Sequence, residues 1–128
     1  MKKSTKLLNA GRDPNTNYGI INPPVYHAST ILFPTVADLE KAAKNRYEGV
    51  YYGLTGTPTT FALQEAVAEL EGYPQAVAVP SGLASIAASL LAFLKKGDHL
   101  LMVDSVYGPT RRLCDGMLKK FGIETTYY

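Results

Sequence analysis

The sequence predicts an α/β fold with an open, mostly parallel sheet, preceded by an extended amino-terminal arm. From residue 76 onward, short apolar runs alternate with helical stretches in the order β-α-β-α-β, which is typical of parallel strands joined by right-handed crossovers. Residues 1–33 have neither a helical nor a strand period and contain consecutive prolines, which favour extended backbone. The chain has 128 residues and 46% hydrophobic content, so a globular core is expected.

The arm is rich in apolar and aromatic side chains that need a covering surface. We expect a partner subunit to supply that surface. The residues concerned are Ile20, Ile21, Val25, Tyr26, Ile31 and Phe33.

Two helices are predicted before the first strand. Thr35 followed by Asp38 resembles a capping box and starts a helix that runs to about Asn45, with Val36, Leu39 and Ala43 on one face. Residues 47–60 are rich in Tyr, Gly and Thr and predict a loop. A second helix begins near Thr59 or Thr60 and stops at Gly72. Its apolar residues have helical spacing and are Leu63, Ala66, Val67 and Leu70.

The alternating region contains three predicted strands and two predicted helices. The strands are residues 76–79, 99–103 and 123–128, each mainly apolar or β-prone. The helices are residues 83–95 and a segment that opens at Gly108-Pro109 and ends at Gly122. Since the sequence stops in or just after the third strand, we expect an incomplete sheet with an open edge.

Composition argues against several classes of partner. The net charge is +2 and the basic residues form scattered pairs, so nucleic acid is not expected as a partner. No apolar run approaches the roughly 18 residues of a membrane span, and the amino terminus is too polar for a signal peptide. A single cysteine, Cys114, excludes an internal disulfide, and we expect no metal site. These features predict a cytoplasmic protein.

Two places at the carboxyl ends of predicted strands could bind a ligand. At Ser81-Gly82-Leu83 a strand turns into a helix, so free backbone N–H groups and the positive end of the helix dipole would attract an anion such as phosphate. These three residues alone favour the other interpretation, an ordinary capped turn. After the next strand, Tyr107 could lie against a planar ligand or simply close the top of the core.

The tyrosine loop, residues 51–59, is a third candidate. It places Tyr52 among glycines and hydroxyl-bearing residues, where it could reach a ligand of its own or of a neighbouring subunit. Composition alone favours a solvated turn.

Together these motifs resemble the Cys/Met-metabolism family of pyridoxal-phosphate enzymes, which has the aspartate-aminotransferase type of fold. Residues 24–30 resemble its arm motif and residues 52–64 its tyrosine loop. Residues 81–83 resemble its phosphate turn, and residues 97–101 with Tyr107 its ring-stacking strand end. Four motifs in the right order make the resemblance specific. Within the family, residues 56–64 are most similar to cystathionine β-lyases.

The resemblance implies a role for each motif. The N–H groups of Gly82 and Leu83, with Ser81, would bind the phosphate of pyridoxal 5'-phosphate, and Tyr107 would stack on its ring. Tyr52 would come from the neighbouring subunit, contact the phosphate and help to manage protons near the substrate amine. Residues 1–59 would then form the arm, a short helix and an active-site loop. Residues 60–128 would form the first part of the cofactor-binding large domain, and the intact enzyme would be a homo-oligomer, a dimer of dimers.

Two departures from the family pattern matter. Relatives usually carry an arginine where this chain has Leu54, so a charged phosphate contact is missing there. Either another cation compensates, or phosphate binding depends more on the helix dipole and hydroxyl groups. The family's Schiff-base lysine, the aspartate that pairs with the pyridine nitrogen and the arginine that binds the substrate carboxylate all lie farther along than residue 128. The lysines of this chain lie in the arm or on polar faces and ends of helices, and none is a candidate for the covalent anchor.

The resemblance implies cleavage of L-cystathionine by β-elimination to homocysteine, pyruvate and ammonia, a step of methionine biosynthesis. The 128-residue chain alone is expected to be inactive. Cystathionine γ-synthase or a γ-lyase is the alternative within the family. A non-catalytic, self-associating fragment that binds at most a phosphate is the alternative outside enzymology.

Overall fold

The computed structural model describes residues 2–128, which form two compact units that divide between Ala78 and Val79. The fold is mixed α/β with a small parallel sheet, which confirms the predicted class. The predicted functional division after residue 59 concerns roles in an enzyme and stays a prediction.

The first unit contains three helices: α1 (Lys3–Asn9), α2 (Val36–Lys44) and α3 (Pro58–Glu71). Helix α1 was not predicted, because its seven residues have no apolar period and none of them is buried. It lies against α3, where Lys6 and Glu69 form an exposed ion pair at 3.6 Å. A helix of seven residues is too short to be stable by propensity alone, and α1 has the contact with α3 in addition.

Helix α2 begins as predicted. The Asp38 N–H donates to Thr35 Oγ1 at 3.1 Å, and the Thr35 hydroxyl donates to Asp38 Oδ2 at 2.7 Å. One backbone N–H that the helix start would leave unpaired is thus satisfied locally, and the second bond joins the two side chains. Its predicted apolar face is exposed in this unit, with Val36 at 72% and Leu39 at 42%.

Helix α3 was predicted correctly, but its buried face was not. It starts after the buried Thr57 and ends at Gly72, whose φ of 75° is the left-handed conformation that glycine adopts without strain. The predicted apolar face is exposed, with Leu63 at 58% and Leu70 at 47%, while the small Ala68 is buried. Helical spacing identifies a helix but not the surface that covers it.

The second unit contains α4 (Gly82–Phe93), β1 (His99–Met102), α5 (Gly108–Leu113), a π-helical segment (Cys114–Leu118) and β2 (Glu124–Tyr127). The two strands pair in parallel from His99 opposite Glu124 to Met102 opposite Tyr127. The predicted helix after Gly108-Pro109 is present, but its second half has π-helical winding. Such wider turns are rare and have no simple sequence signal.

The core of the second unit lies between the sheet and its helices. Cys114, Leu118 and Ile123 are at most 2% exposed. Partly buried side chains pack around them: Leu90, Leu94, Leu100, Met102, Leu113 and Tyr127. The alternation along β1 and β2 turns one residue in two toward this core.

The predicted strand at residues 76–79 was wrong. These residues belong to no helix or strand, Val77 is 80% exposed, and the Ala78 N–H donates to the Gln64 side chain at 2.9 Å. A strand needs a ladder partner, and within residues 2–128 the only pairing joins β1 to β2. Here the apolar run has neither a neighbouring strand nor a buried position.

Over the same residues, 2–128, no helix is both long enough and apolar enough to cross a membrane.

Candidate functional site

The start of α4 has two backbone donors available for a ligand. Ser81 caps the helix: its Oγ accepts from the Ala84 N–H at 3.0 Å and its carbonyl accepts from the Ser85 N–H at 3.1 Å. The N–H groups of Gly82 and Leu83 have no acceptor among the described residues. The predicted cap and the predicted pair of free donors therefore occur together at one turn.

Open space lies in front of Gly82. A Cβ built there would meet no atom within 4 Å, and its φ is not in the left-handed region. Neither packing nor backbone strain within the described residues requires glycine at this position. The free space and the exposed donors at the positive end of a 12-residue helix suit a phosphate group.

Tyr107 stands at the start of α5, beyond the end of β1. Its side chain is 63% exposed, so it does not close the core of this unit. Its carbonyl accepts from the N–H groups of Thr110 at 2.8 Å and Arg111 at 3.2 Å, which fixes its backbone. Helices α4 and α5 contact each other, so the phosphate-type turn and Tyr107 belong to one compact unit.

Tyr52 lies in a turn that is tied to the arm of the same chain. Its hydroxyl accepts from Ser29 Oγ at 3.2 Å, and the Gly53 N–H donates to the Ser29 carbonyl at 2.7 Å. A Cβ on Gly53 would lie 1.9 Å from the Ala28 carbonyl oxygen, so only glycine permits this approach. The loop is thus an ordered partner of the arm, and Tyr52 keeps 40% of its surface exposed.

Thr59 on α3 contacts the arm at Pro24 and Tyr26, a few residues before Ser29. Its hydroxyl donates to the Pro24 carbonyl at 2.7 Å and accepts from the Tyr26 N–H at 2.8 Å. One side chain therefore satisfies a donor and an acceptor of an extended segment that has no strand partner. Tyr52 lies in the first unit and residues 81–83 and 107 in the second, so a shared site stays a prediction.

Sequence reasoning missed a polar group in the second unit, which we call the Arg111 cluster: Asp104, Arg111, Asp115 and Tyr127. Arg111 donates to both the carbonyl, at 2.8 Å, and the carboxylate of Asp104. Its guanidinium lies 3.8 Å from the centre of the Tyr127 ring, and the Tyr127 hydroxyl donates to Asp115 Oδ1 at 2.7 Å. The parallel register between β1 and β2 places Met102 opposite Tyr127. Knowledge of this register would have predicted the Arg111 cluster.

The Arg111 cluster changes the acidity of its tyrosine. Burial first, and then the hydrogen bond to Asp115, raise the pKa of Tyr127 to about 12. Burial likewise raises the pKa of the neighbouring Cys114 thiol. Both groups are therefore held in their neutral forms near neutral pH. The described residues contain no group of three or more His, Cys, Asp or Glu arranged to hold a metal ion.

The sequence of residues 4–128 matches the family described as Cys/Met metabolism PLP-dependent enzyme. The chain belongs to this family. Pyridoxal phosphate is the family's cofactor, and the free N–H pair at α4 and the open space at Gly82 fit its phosphate.

Several proteins of other organisms are similar in sequence to the chain. A putative cystathionine beta-lyase of Rhizobium johnstonii is 51% identical over 98% of the chain and 31% of that protein. Cystathionine beta-lyase MetC of Escherichia coli is 40% identical over 99% of the chain and 32% of that protein. An L-alanine/L-glutamate racemase of Wolbachia pipientis is 42% identical over 100% of the chain and 34% of that protein. The chain thus spans about a third of the length of these relatives.

Two solved structures have the same fold over the length of this chain. The metB protein of Corynebacterium glutamicum has a TM-score of 0.86 at 34% identity, with 100% of the chain and 31% of that protein covered. A putative O-acetylhomoserine (thiol)-lyase of Campylobacter jejuni has a TM-score of 0.87 at 26% identity, over 100% of the chain and 32% of that protein. The latter structure contains a pyridoxyl-lysine monophosphate group, in which the cofactor is attached to a lysine.

Proposed function

We propose that this chain provides the amino-terminal third of a pyridoxal-phosphate-dependent carbon–sulfur lyase that cleaves L-cystathionine to homocysteine, pyruvate and ammonia. Membership of the family and the names of its relatives from Rhizobium and Escherichia support this reaction. The observation that carries the proposal is the start of α4, where two free N–H groups face open space.

Each candidate residue has a role in this proposal. The N–H groups of Gly82 and Leu83 bind the cofactor phosphate, and Ser81 keeps the turn in place by capping α4. Tyr107 offers its exposed ring to the pyridine ring. When bound, pyridoxal phosphate supplies the electron sink that eases removal of the substrate's α-proton.

Tyr52 is the candidate from a neighbouring subunit. Its hydroxyl already accepts a hydrogen bond from Ser29, so its own proton is free to be donated to a phosphate oxygen or to a group near the substrate amine. Leu54, 88% exposed on the same loop, adds no charge, so phosphate binding depends more on the helix dipole and hydroxyl groups. The proposal includes a cytoplasmic homo-oligomer, a dimer of dimers, whose arm lies on the adjacent subunit.

The direct test compares the full-length polypeptide that carries residues 1–128 with the 128-residue chain alone. Both are mixed with pyridoxal phosphate, and cofactor absorbance and pyruvate release from L-cystathionine are followed. We expect turnover only from the full-length polypeptide. Release of pyruvate by the 128-residue chain, or its absence with the full-length polypeptide, would contradict the proposal.

Other family reactions are the main alternatives, because the identity values do not separate them. A cystathionine gamma-lyase of Bacillus subtilis is 34% identical over 99% of the chain and 31% of that protein, and the Wolbachia racemase is as similar as the Escherichia lyase. Product analysis distinguishes them. Pyruvate indicates β-elimination, 2-oxobutyrate with cysteine indicates γ-elimination, and D-alanine formed from L-alanine indicates racemisation. Formation of cystathionine from cysteine and an activated homoserine indicates γ-synthase activity.

A non-catalytic, self-associating chain is the alternative outside enzymology. The exposed apolar residues of the first unit favour association, as Leu32 at 91% and Val36 at 72% illustrate. Sizing the 128-residue chain with and without pyridoxal phosphate separates a defined oligomer from aggregation.

A further inference from the structure

The Arg111 cluster surrounds the segment that carries Tyr107. Asp104 lies two residues after the end of β1, and Arg111 lies in the last turn of α5. Tyr107 lies between them in the sequence. The hydrogen bonds that join Asp104 to Arg111 therefore restrict the backbone on both sides of Tyr107.

Both ends of this segment are held. The Asp104 N–H donates to the Tyr128 carbonyl at 2.7 Å, and its carbonyl and carboxylate both accept from Arg111. The Arg111 N–H donates to the Tyr107 carbonyl at 3.2 Å. Residues 104–111 therefore form a closed ring, in which the Arg111 side chain bonds to its first residue and the Arg111 backbone to its middle.

The guanidinium is itself held in place by β2 and the π-helical segment. One face of it lies on the Tyr127 ring, and Tyr127 is fixed through its hydroxyl by Asp115. Exposed ion pairs contribute little to stability by themselves, and Asp104 is 75% exposed. The contribution of Arg111 is therefore to orient the elements that it joins, namely the end of β1, the start of α5 and the end of β2.

We propose that Arg111 is a positioning residue that fixes the 104–111 segment, and with it the ring of Tyr107, for contact with the cofactor. This inference rests on the proposed role of Tyr107 as the ring-stacking residue. Arg111 itself touches neither cofactor nor substrate in this scheme. Asp104, Tyr127 and Asp115 act through it.

The first test measures hydrogen exchange in the full-length polypeptide that carries residues 1–128. In Arg111→Met, the Val106 amide, which donates to the Val103 carbonyl at 3.2 Å and is the hydrogen-bonded amide among residues 105–108, should exchange about tenfold faster, since a charge-assisted hydrogen bond is lost. Amides of α4 should be unchanged. Arg112→Met is the matched control, because Arg112 is the adjacent, exposed arginine and makes no ion pair within the described residues. It should leave exchange of the Val106 amide unchanged.

Arg111→Lys provides a second variant that keeps the charge but loses the planar group on Tyr127. An intermediate increase in exchange, confined to the same amide, is expected. If Arg111→Met does not fold, this variant decides the question. Equal acceleration throughout the second unit would mean that Arg111 only stabilises the fold, and no acceleration at the Val106 amide would mean that it does not hold the segment. Either result overturns the inference.

The second test uses the affinity for pyridoxal phosphate, followed by absorbance. Arg111→Met should weaken binding about tenfold in the parent background and have no further effect in a Tyr107→Ala background, because it acts through Tyr107. Equal effects in both backgrounds would contradict a positioning role. If the parent does not bind the cofactor, the proposed function fails, whereas the exchange measurement still tests whether Arg111 holds the segment.

Discussion

The two units of this chain are held together by different interactions. In the second unit, a compact apolar core of Cys114, Leu118 and Ile123 lies under a parallel strand pair. In the described part of the first unit, Ala68 is the only buried hydrophobic residue, and the arm is held by hydrogen bonds with Thr59, Tyr52 and Gly53. Hydrophobic burial stabilises the second unit, whereas directional polar contacts specify the first. Both units leave large apolar side chains on their surfaces, such as Leu32 in the first and Phe93 in the second.

The sharpest test of this difference truncates one leucine in each unit. Leu118→Ala removes a fully buried side chain and should lower the free energy of unfolding by about 2–5 kcal/mol. Leu70→Ala, 47% exposed on α3, should cost less than about 1 kcal/mol. Urea unfolding of the 128-residue chain measures both. Equal losses would mean that the exposed face of α3 is covered in solution and that both units depend on hydrophobic burial to a similar degree.

A second test adds one methyl group at the contact between the arm and the tyrosine loop. Gly53→Ala should destabilise the first unit by about 1–3 kcal/mol, because the new Cβ overlaps the Ala28 carbonyl and displaces the arm. Gly49→Ala is the matched control, since a Cβ there meets nothing within 4 Å. Limited proteolysis of residues 24–30 reports the displacement. Equal protection in the two variants would show that the close approach at Gly53 is not required.

A third test compares the two helix caps. Ser81→Ala and Thr35→Ala each remove a side chain that accepts from the helix start, so each should cost about 1 kcal/mol of stability. Only a change at residue 81 should affect pyridoxal phosphate. Ser81→Asp keeps a capping acceptor but places a negative charge beside Gly82 and Leu83, so cofactor affinity should fall without loss of stability. Unchanged affinity of Ser81→Asp in the full-length polypeptide would argue against phosphate binding at α4.

A fourth test uses the pH dependence of stability, which should show no effect near neutral pH. The folded state raises the pKa of Tyr127 from 10.0 to about 12, so it binds the phenolic proton more tightly than the unfolded state does. This contribution to stability is complete below pH 10 and is lost as the pH rises toward about 12. Ultraviolet titration of phenolate formation should detect one late-titrating tyrosine, which Tyr127→Phe removes. Tyr128→Phe, 74% exposed, is the control and should leave that late step in place.

Local signals in the sequence predicted most of the helices. Thr35 with Asp38 predicted the start of α2, Gly72 the end of α3, and Gly108-Pro109 the start of α5, because each acts within a single turn. The cap at Ser81 was one of two interpretations of its turn, and the structure contains that cap together with two free donors.

Features that depend on distant partners could not be predicted in the same way. The run at 76–79 has the composition of a buried strand, yet a strand is defined by a neighbour that composition does not supply. Helix α3 was recognised from a period whose apolar side is exposed. The Arg111 cluster depends on the register between two strands that are more than 20 residues apart in sequence, as the pairing of Met102 with Tyr127 illustrates.

The position of Cys114 has a practical consequence. It is the only cysteine of the chain and is 1% exposed, and burial raises the pKa of its thiol, so reagents that attack thiolates reach it only when the second unit opens. The rate at which Cys114 is modified therefore measures how often the second unit opens, and no label has to be introduced. A ligand bound at the start of α4 or at Tyr107 would lower the modification rate of Cys114, and the decrease would reflect how strongly the ligand favours the closed form.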